Sequence, residues 1–314
     1  MRPSLAVTVM GDLNIEIASE LKDHAFVTLD HDLLVYGNVQ LEVGGTAANF
    51  AMAARGYFGE IHVIGKVGTD DLGPIITHRL AGMGIHVHCS TSSSTPTGLA
   101  IYLRDAHSSR PKGTRLLIVQ PNSANQALTT SDIEQQAQVF ADSDLLVLDG
   151  YCMLQQPRRD ASLLAMQIAH ASGALIAFDI VPHDAYNLYS LDALLSMTAL
   201  ADVIIVEVGA IRRFLGRPVP DGTIDVDIAL ETAEVLRSTL AEKAYLLRFG
   251  WGGSDQSLVC LPKSAPRHSF TGYRQAAGSR GFGDQLAARE LADITPTLRT
   301  VGTQGHGDRQ GGGE

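Results

Sequence analysis

Short, almost wholly apolar runs alternate along this chain with longer stretches whose apolar residues recur at helical spacing. The runs Leu5–Met10, Ile61–Val67, Leu116–Val119, Leu145–Asp149, Leu175–Asp179, Val203–Val206 and Ala244–Arg248 read as strands. Ala47–Gly56, Leu72–Met83, Ser131–Phe140, Arg159–Ala171, Ala210–Leu215 and Ile228–Ala241 read as amphipathic helices. Strands apolar throughout are covered on both faces, and strands that alternate with helices make parallel crossovers. The pattern predicts an α/β fold: a doubly wound, mostly parallel sheet with helices on both faces. Ligands in such folds sit outside the carboxyl ends of the strands. Turn and helix-start residues stand there, at Gly11-Asp12, Gly68 to Asp71 and Asp179 to Pro182.

Two segments break the rhythm. Residues 13–40 and 89–115 hold extended pieces with polar connections, which read either as a small β-lid or as surface loops. Residues 295–314 are rich in Gly, Thr, Arg and Gln and read as a flexible tail, which leaves one domain over 1–294.

Composition narrows the classes. Of 314 residues, 45% are hydrophobic and 18% charged, as in a soluble globular protein. The net charge of -10 argues against a nucleic-acid partner bound by phosphate neutralisation, though not against a small phosphorylated ligand. No run of 18 apolar residues exists, so no membrane span is expected. Cys89, Cys152 and Cys260 are widely spaced, which suits neither zinc nor a disulfide framework. With no signal-like N-terminus, a cytoplasmic location is expected.

Three segments carry candidate chemistry. In Val43-Gly44-Gly45-Thr46-Ala47-Ala48-Asn49, paired glycines let a ligand approach the backbone, and an Ala-rich helix follows. Thr46 is a candidate cap and Asn49 a two-way hydrogen-bonding amide, although an ordinary capped turn has the same pattern. Gly281-Phe282-Gly283-Asp284 likewise opens a helix. Its N–H groups would cradle an anion, and Asp284 would either cap the helix or accept a proton from an attacking hydroxyl. In Gly11-Asp12-Leu13-Asn14-Ile15-Glu16, alternation puts Asp12, Asn14 and Glu16 on one side of an extended segment. Such a row suits a polyhydroxyl ligand or a solvated strand edge.

In this order, the Gly44-Gly45 to Asn49 segment, Val67-Gly68-Thr69-Asp70-Asp71-Leu72-Gly73 and Gly281-Phe282-Gly283-Asp284 resemble the ribokinase-like (PfkB) carbohydrate kinase family. Gly11 to Glu16 matches the family's first substrate strand. Asn122 to Leu128, with Asn125, looks like the return from the lid. Ala201 to Val206 looks like the strand before the family's Asn-x-x-Glu, and Leu247 to Gly253 is similar to its Gly-rich nucleotide turn. The similarity runs from about residue 5 to 294.

The resemblance implies a β-lid on the doubly wound domain and transfer of the ATP γ-phosphate to a hydroxyl of a sugar or nucleoside, with Mg²⁺ bridging the phosphates. It puts Asp284 on the catalytic base and Gly281 and Gly283 on the anion hole. Asn14, Glu16, Gly44, Gly45, Asn49 and Asn125 fall on substrate contacts, and Gly250 and Gly253 beside the adenosine. The lid often mediates dimerisation in the family, so a homodimer through it is an expected partner.

The sequence also departs from the family pattern. The last motif lacks its leading Asp, and Arg280 is a new cation near the expected phosphates. Glu207 stands at the Asn and Ala210 at the Glu of Asn-x-x-Glu, which leaves Glu207 as the candidate Mg²⁺ ligand. Past the Asp284 helix, only a polar tail is expected where the family places a further helix. An active kinase is the leading reading, and a non-catalytic sugar- or nucleoside-binding regulatory protein is the alternative. A dinucleotide-dependent oxidoreductase is disfavoured, because no Gly-x-Gly-x-x-Gly follows the first strand.

Overall fold

A computed structural model describes residues 5–21, 25–26, 31–105, 114–180, 185–220, 224–240, 243–250, 256–270 and 282–307. The chain begins with β1 (Ala6–Met10), β2 (Asn14–Leu21), β3 (Val39–Gly44), α1 (Thr46–Ala54), β4 (Glu60–Gly68), α2 (Leu72–Gly82) and β5 (His86–Ser92). Next come β6 (Gly98–Asp105), β7 (Thr114–Val119), α3 (Thr130–Glu134), α4 (Ala137–Ala141), β8 (Leu145–Asp149), α5 (Arg158–Ala171) and β9 (Leu175–Ile180). The remainder is α6 (Ala185–Leu188), α7 (Leu191–Thr198), β10 (Val203–Glu207), α8 (Val208–Phe214), α9 (Val226–Leu240), β11 (Ala244–Phe249), β12 (Gln256–Cys260), β13 (Arg267–Phe270) and α10 (Phe282–Gly307).

The larger sheet has the order β13-β12-β11-β10-β9-β8-β1-β4-β5. It is parallel from β11 to β5, with β12 and β13 antiparallel at one edge. The chain winds from β1 to β5 on one side and from β8 onward on the other. The switch point therefore lies between β1 and β8, where a doubly wound sheet opens its crevice. Alternation along the strands divides the core. Leu146, Leu148, Ile204, Val206 and Leu247 pack with α5, α8 and α9. Leu145, Val147, Ile205, Ala244 and Leu246 pack with α1, α2 and α10.

The second sheet, β3-β2-β6-β7, is the lid. Register puts Asn14, Glu16, Ala100 and Tyr102 on one of its faces and Ile17, Leu41, Ile101 and Ile118 on the other. Leu41, Ile118, Val39 and Leu116 on that second face are exposed.

Several expectations are corrected. Leu116–Val119 pairs antiparallel with β6, so it is a lid strand, whereas Cys89 belongs to β5 at the edge of the large sheet. The lid thus uses residues from 98 rather than 89, and its β3 runs on to Gly44. Ser131–Phe140 divides into α3 and α4, with the break at Gln136. β12, β13, α6 and α7 were not foreseen. The boundary expected at 294 is absent too: α10 continues to Gly307, with Ile294 and Thr295 buried and Leu298 packed on the core. Its packed face holds these residues despite the polar composition, and the helix accommodates Pro296 on its exposed side. Among the described residues, no helix is long and apolar enough to cross a membrane.

Candidate active site

The site grows from the switch point. After β1 the backbone turns at Gly11, where a Cβ would press on the Thr46 hydroxyl and the Asp149 carboxylate. Leu13 and Ile15 point into the core, which leaves Asp12, Asn14 and Glu16 on the other side, as alternation requires. Asn14 and Glu16 are buried, not a solvated edge. The Asn125 side-chain amide donates to Asn14 Oδ1 at 2.8 Å and its Oδ1 accepts from Leu13 N–H at 3.0 Å. Glu16 Oε1 accepts from Gly45 N–H at 2.9 Å.

Glycine is required around this pair. A Cβ on Gly44 would collide with the Glu16 carboxyl, and one on Gly98 with the amides of Asn14 and Asn125. Gly45 has φ 90°, the left-handed region, and serves as the N-cap of α1. Thr46, a candidate cap from the sequence, does not cap that helix. Its hydroxyl oxygen instead accepts from Asp12 N–H at 3.1 Å, and its hydroxyl hydrogen-bonds the Asp149 carboxylate. Asn49 stands half-buried one turn further along α1.

Beside this polar patch runs a row of buried charge. Arg158, 1% exposed, donates from Nη1 to Asp12 Oδ1 at 2.6 Å and from Nη2 to Cys152 Sγ at 3.2 Å. Burial pushes the Asp149 carboxyl up to about 6, with Arg158 pulling it down and Asp12 adding to the rise. Asp179 accepts from Arg248 Nη2 at 2.8 and 2.9 Å. Asp179 is nonetheless shifted upward, because burial outweighs Arg248.

Asp284 lies in the first turn of α10 with Gly283 before it. Burial pushes its carboxyl up to about 7; Arg248 opposes the shift, and Asp179 and Asp149 reinforce it. Strand alternation puts Asp149, Asp179 and Arg248 on the sheet face that α1 and α10 cover. The N-terminal ends of both helices therefore meet the same charges. Tyr151 stands near Asp149, and Tyr102 reaches toward it from the lid.

Asp284, Gly283, Asn14, Glu16, Gly44, Gly45, Asn49 and Asn125 are thus all at this end of the sheet. Gly250, at φ 78°, directly follows β11. Gly281, Arg280 and Gly253 lie outside the described residues. Glu207 needs correction. Its two oxygens accept from Gly209 N–H at 3.1 Å and Ala210 N–H at 2.6 Å, so the carboxylate caps α8. Among the described residues, no group of three His, Cys, Asp or Glu could hold a metal ion. The expected metal role of Glu207 therefore competes with its cap.

Sequence reasoning gave no role to Asp149, Arg158, Arg248 and Gly98, and gave Asp179 only as a turn residue at the ligand end of its strand. Asp149, Asp179 and Arg248 each carried one signal: a charged residue closing an apolar strand at its carboxyl end. Arg158, on a helix, and Gly98, on a lid strand, carried none.

Comparison with known proteins bears on the family and the fold. The chain is 30% identical over 138 residues to 5-dehydro-2-deoxygluconokinase of Lacticaseibacillus casei, covering 44% of this chain and 41% of that one. It is 30% identical over 183 residues to ribokinase of Haemophilus influenzae, covering 58% and 55%. The matched stretch thus spans about half the length of these curated relatives. The fold matches adenosine kinase from Sinorhizobium meliloti with a TM-score of 0.74 at 20% identity, over 93% of this chain and 88% of that one. It matches ribokinase from Giardia lamblia with a TM-score of 0.70 at 18% identity, over 96% and 88%. Residues 5–242 match the pfkB family carbohydrate kinase model, and the chain belongs to that family.

Proposed function

We propose that the protein transfers the γ-phosphoryl group of ATP to a hydroxyl of a sugar or nucleoside. The observation that carries this reading is the placement of Asp284. Its carboxyl, held up to about 7, opens α10 at the strand ends that bear Asn14, Glu16 and the Gly44-Gly45 turn. In this reading Asn14, Glu16, Asn125 and Asn49 orient the hydroxyls of the acceptor, and the lid excludes water over it. Asp284 accepts the proton as the acceptor oxygen bonds to phosphorus and the bond to the departing ADP oxygen breaks. Backbone N–H groups at the start of α10, Gly283 among them, serve as the anion hole for the transferred group, a role the family resemblance also gives to Gly281. Mg²⁺ would enter with the nucleotide phosphates, and no step here rests on a protein-held ion. Three free cysteines support a cytoplasmic location, and the exposed apolar face of the lid supports a homodimer through it.

The commitment of Glu207 to α8 favours a second reading, a regulatory protein that binds a sugar or nucleoside without turning it over. ADP release with ATP and Mg²⁺ across a panel of sugars and nucleosides separates the two. Substrate-dependent turnover that disappears in Asp284→Asn supports the kinase. Saturable sugar binding without turnover, unchanged in Asp284→Asn, replaces it with the binder.

A further inference from the structure

Buried hydrogen-bond donors are almost always paired, because a donor taken from water without a partner is costly. Arg248 breaks that rule at the site. It is 7% exposed, its Nη2 holds both oxygens of Asp179, and its buried Nε has no hydrogen-bond partner among the described residues. The residue stands at the carboxyl end of β11, on the face that α10 covers, near enough to Asp284 to pull its carboxyl down.

We propose that Arg248 is an anion ligand of this site and that its unpaired edge receives a phosphoryl oxygen. The proposal rests on the phosphoryl-transfer reading above and adds a residue to it. Three features lead to this assignment. The first is charge. Asp12, Asp149, Asp179 and Asp284 crowd these strand ends, so a phosphate arriving there meets an acidic surface unless a cation receives it. Arg158 is committed to Asp12 and Cys152, whereas Arg248 keeps a buried donor in reserve. The second is geometry. The clamp from Asp179 fixes the guanidinium plane, and a fixed planar fork is the arrangement that binds a phosphate oxygen with little further loss of freedom. The third is polarity. The N-terminal end of α10, which favours negative charge, opens beside the same carboxylate. Arg248 thereby has two tasks: it holds Asp179 through one nitrogen and offers another to the ligand.

Arg248→Lys tests this in the full-length protein. Lysine keeps the positive charge for Asp179 and Asp284 but lacks the Nε donor and the fork. The probe is inorganic phosphate, titrated by calorimetry at constant ionic strength. Wild type should bind saturably and the folded variant about tenfold or more weakly, as for loss of one charge-assisted hydrogen bond. Equal affinities, or no saturable phosphate binding by wild type, would overturn the proposal. If the lysine variant does not fold, Asp179→Asn decides. Removing the counter-charge should tighten phosphate binding, and unchanged or weaker binding sinks the idea. Phosphate binding that depends on Arg248, with no turnover of any acceptor, keeps this assignment and discards the kinase. Turnover that needs Asp284 but is untouched by Arg248→Lys does the reverse.

Discussion

Asp149 and Asp284 owe their raised pKa first to burial and only second to their neighbours. For Asp284 as base, the working form is the carboxylate. The kcat/KM of the kinase should therefore rise with pH and level off above an apparent pKa of about 7, measured as a pH–rate profile. Asp284→Asn should remove that limb and lower kcat by about 100- to 10,000-fold. Stability runs the other way. Both groups are held above the unfolded value of 3.8, so the native state keeps their protons longer. Their contribution is full below about 3.8 and is lost as pH rises through about 6 for Asp149 and about 7 for Asp284. Gly98 offers a steric test at the same scale. A methyl group there meets the Asn14 and Asn125 amides, so Gly98→Ala should destabilise by about 1–3 kcal/mol and raise the KM for the acceptor, read by denaturant melts and kinetics.

Among the elements, α8 and the β4–β5 edge each make a separate prediction. The Glu207 carboxylate caps α8 through two N–H groups. Glu207→Gln should therefore cost about 0.5–2 kcal/mol in thermal or chemical melts and leave the Mg²⁺ dependence of turnover unchanged. At the β4–β5 edge, His62 and His88 are joined at 3.0 Å, and the His62 ring stacks on His86. Burial lowers the pKa of both His62 and His88. His88 and His86 lower that of His62 further, while Glu60 and Asp142 partly oppose; His86 lowers that of His88 while Gln136 opposes. Below about pH 6.5 the unfolded chain takes up protons that the native edge resists, so Tm should fall on acidification through that range. His88→Gln should flatten this part of the Tm–pH curve.

Across the whole molecule, two sheets divide the work. The large sheet brings strand ends together at the switch point, and the lid carries Asn14, Glu16 and Tyr102 on one face and an apolar surface on the other. A dimer through that outer face would cover Leu41 and Ile118, which are 46% and 50% exposed and share one row across the lid. Leu41→Lys with Ile118→Lys should shift sedimentation toward the monomer and leave the far-ultraviolet circular dichroism unchanged. An unchanged sedimentation coefficient would place any association elsewhere.

The alternation of apolar runs and amphipathic stretches sufficed for the doubly wound sheet, because strands covered on both faces must be apolar throughout. Glycine pairs at helix starts, with Asn14, Glu16 and Asp284 beside them, marked the site for the same local reason: close backbone approach and free helix ends follow from neighbouring residues. Composition misled at the tail, where Ile294, Thr295 and Leu298 pack on the core and α10 runs past the expected boundary. The pairings within the charge row were illegible in sequence. Arg158 meets Asp12 across 146 positions and Arg248 meets Asp179 across 69. Which carboxylate is buried, which arginine it faces and which donor is left unpaired depend on distances and exclusion of water. Those come into being only when the strands lie side by side.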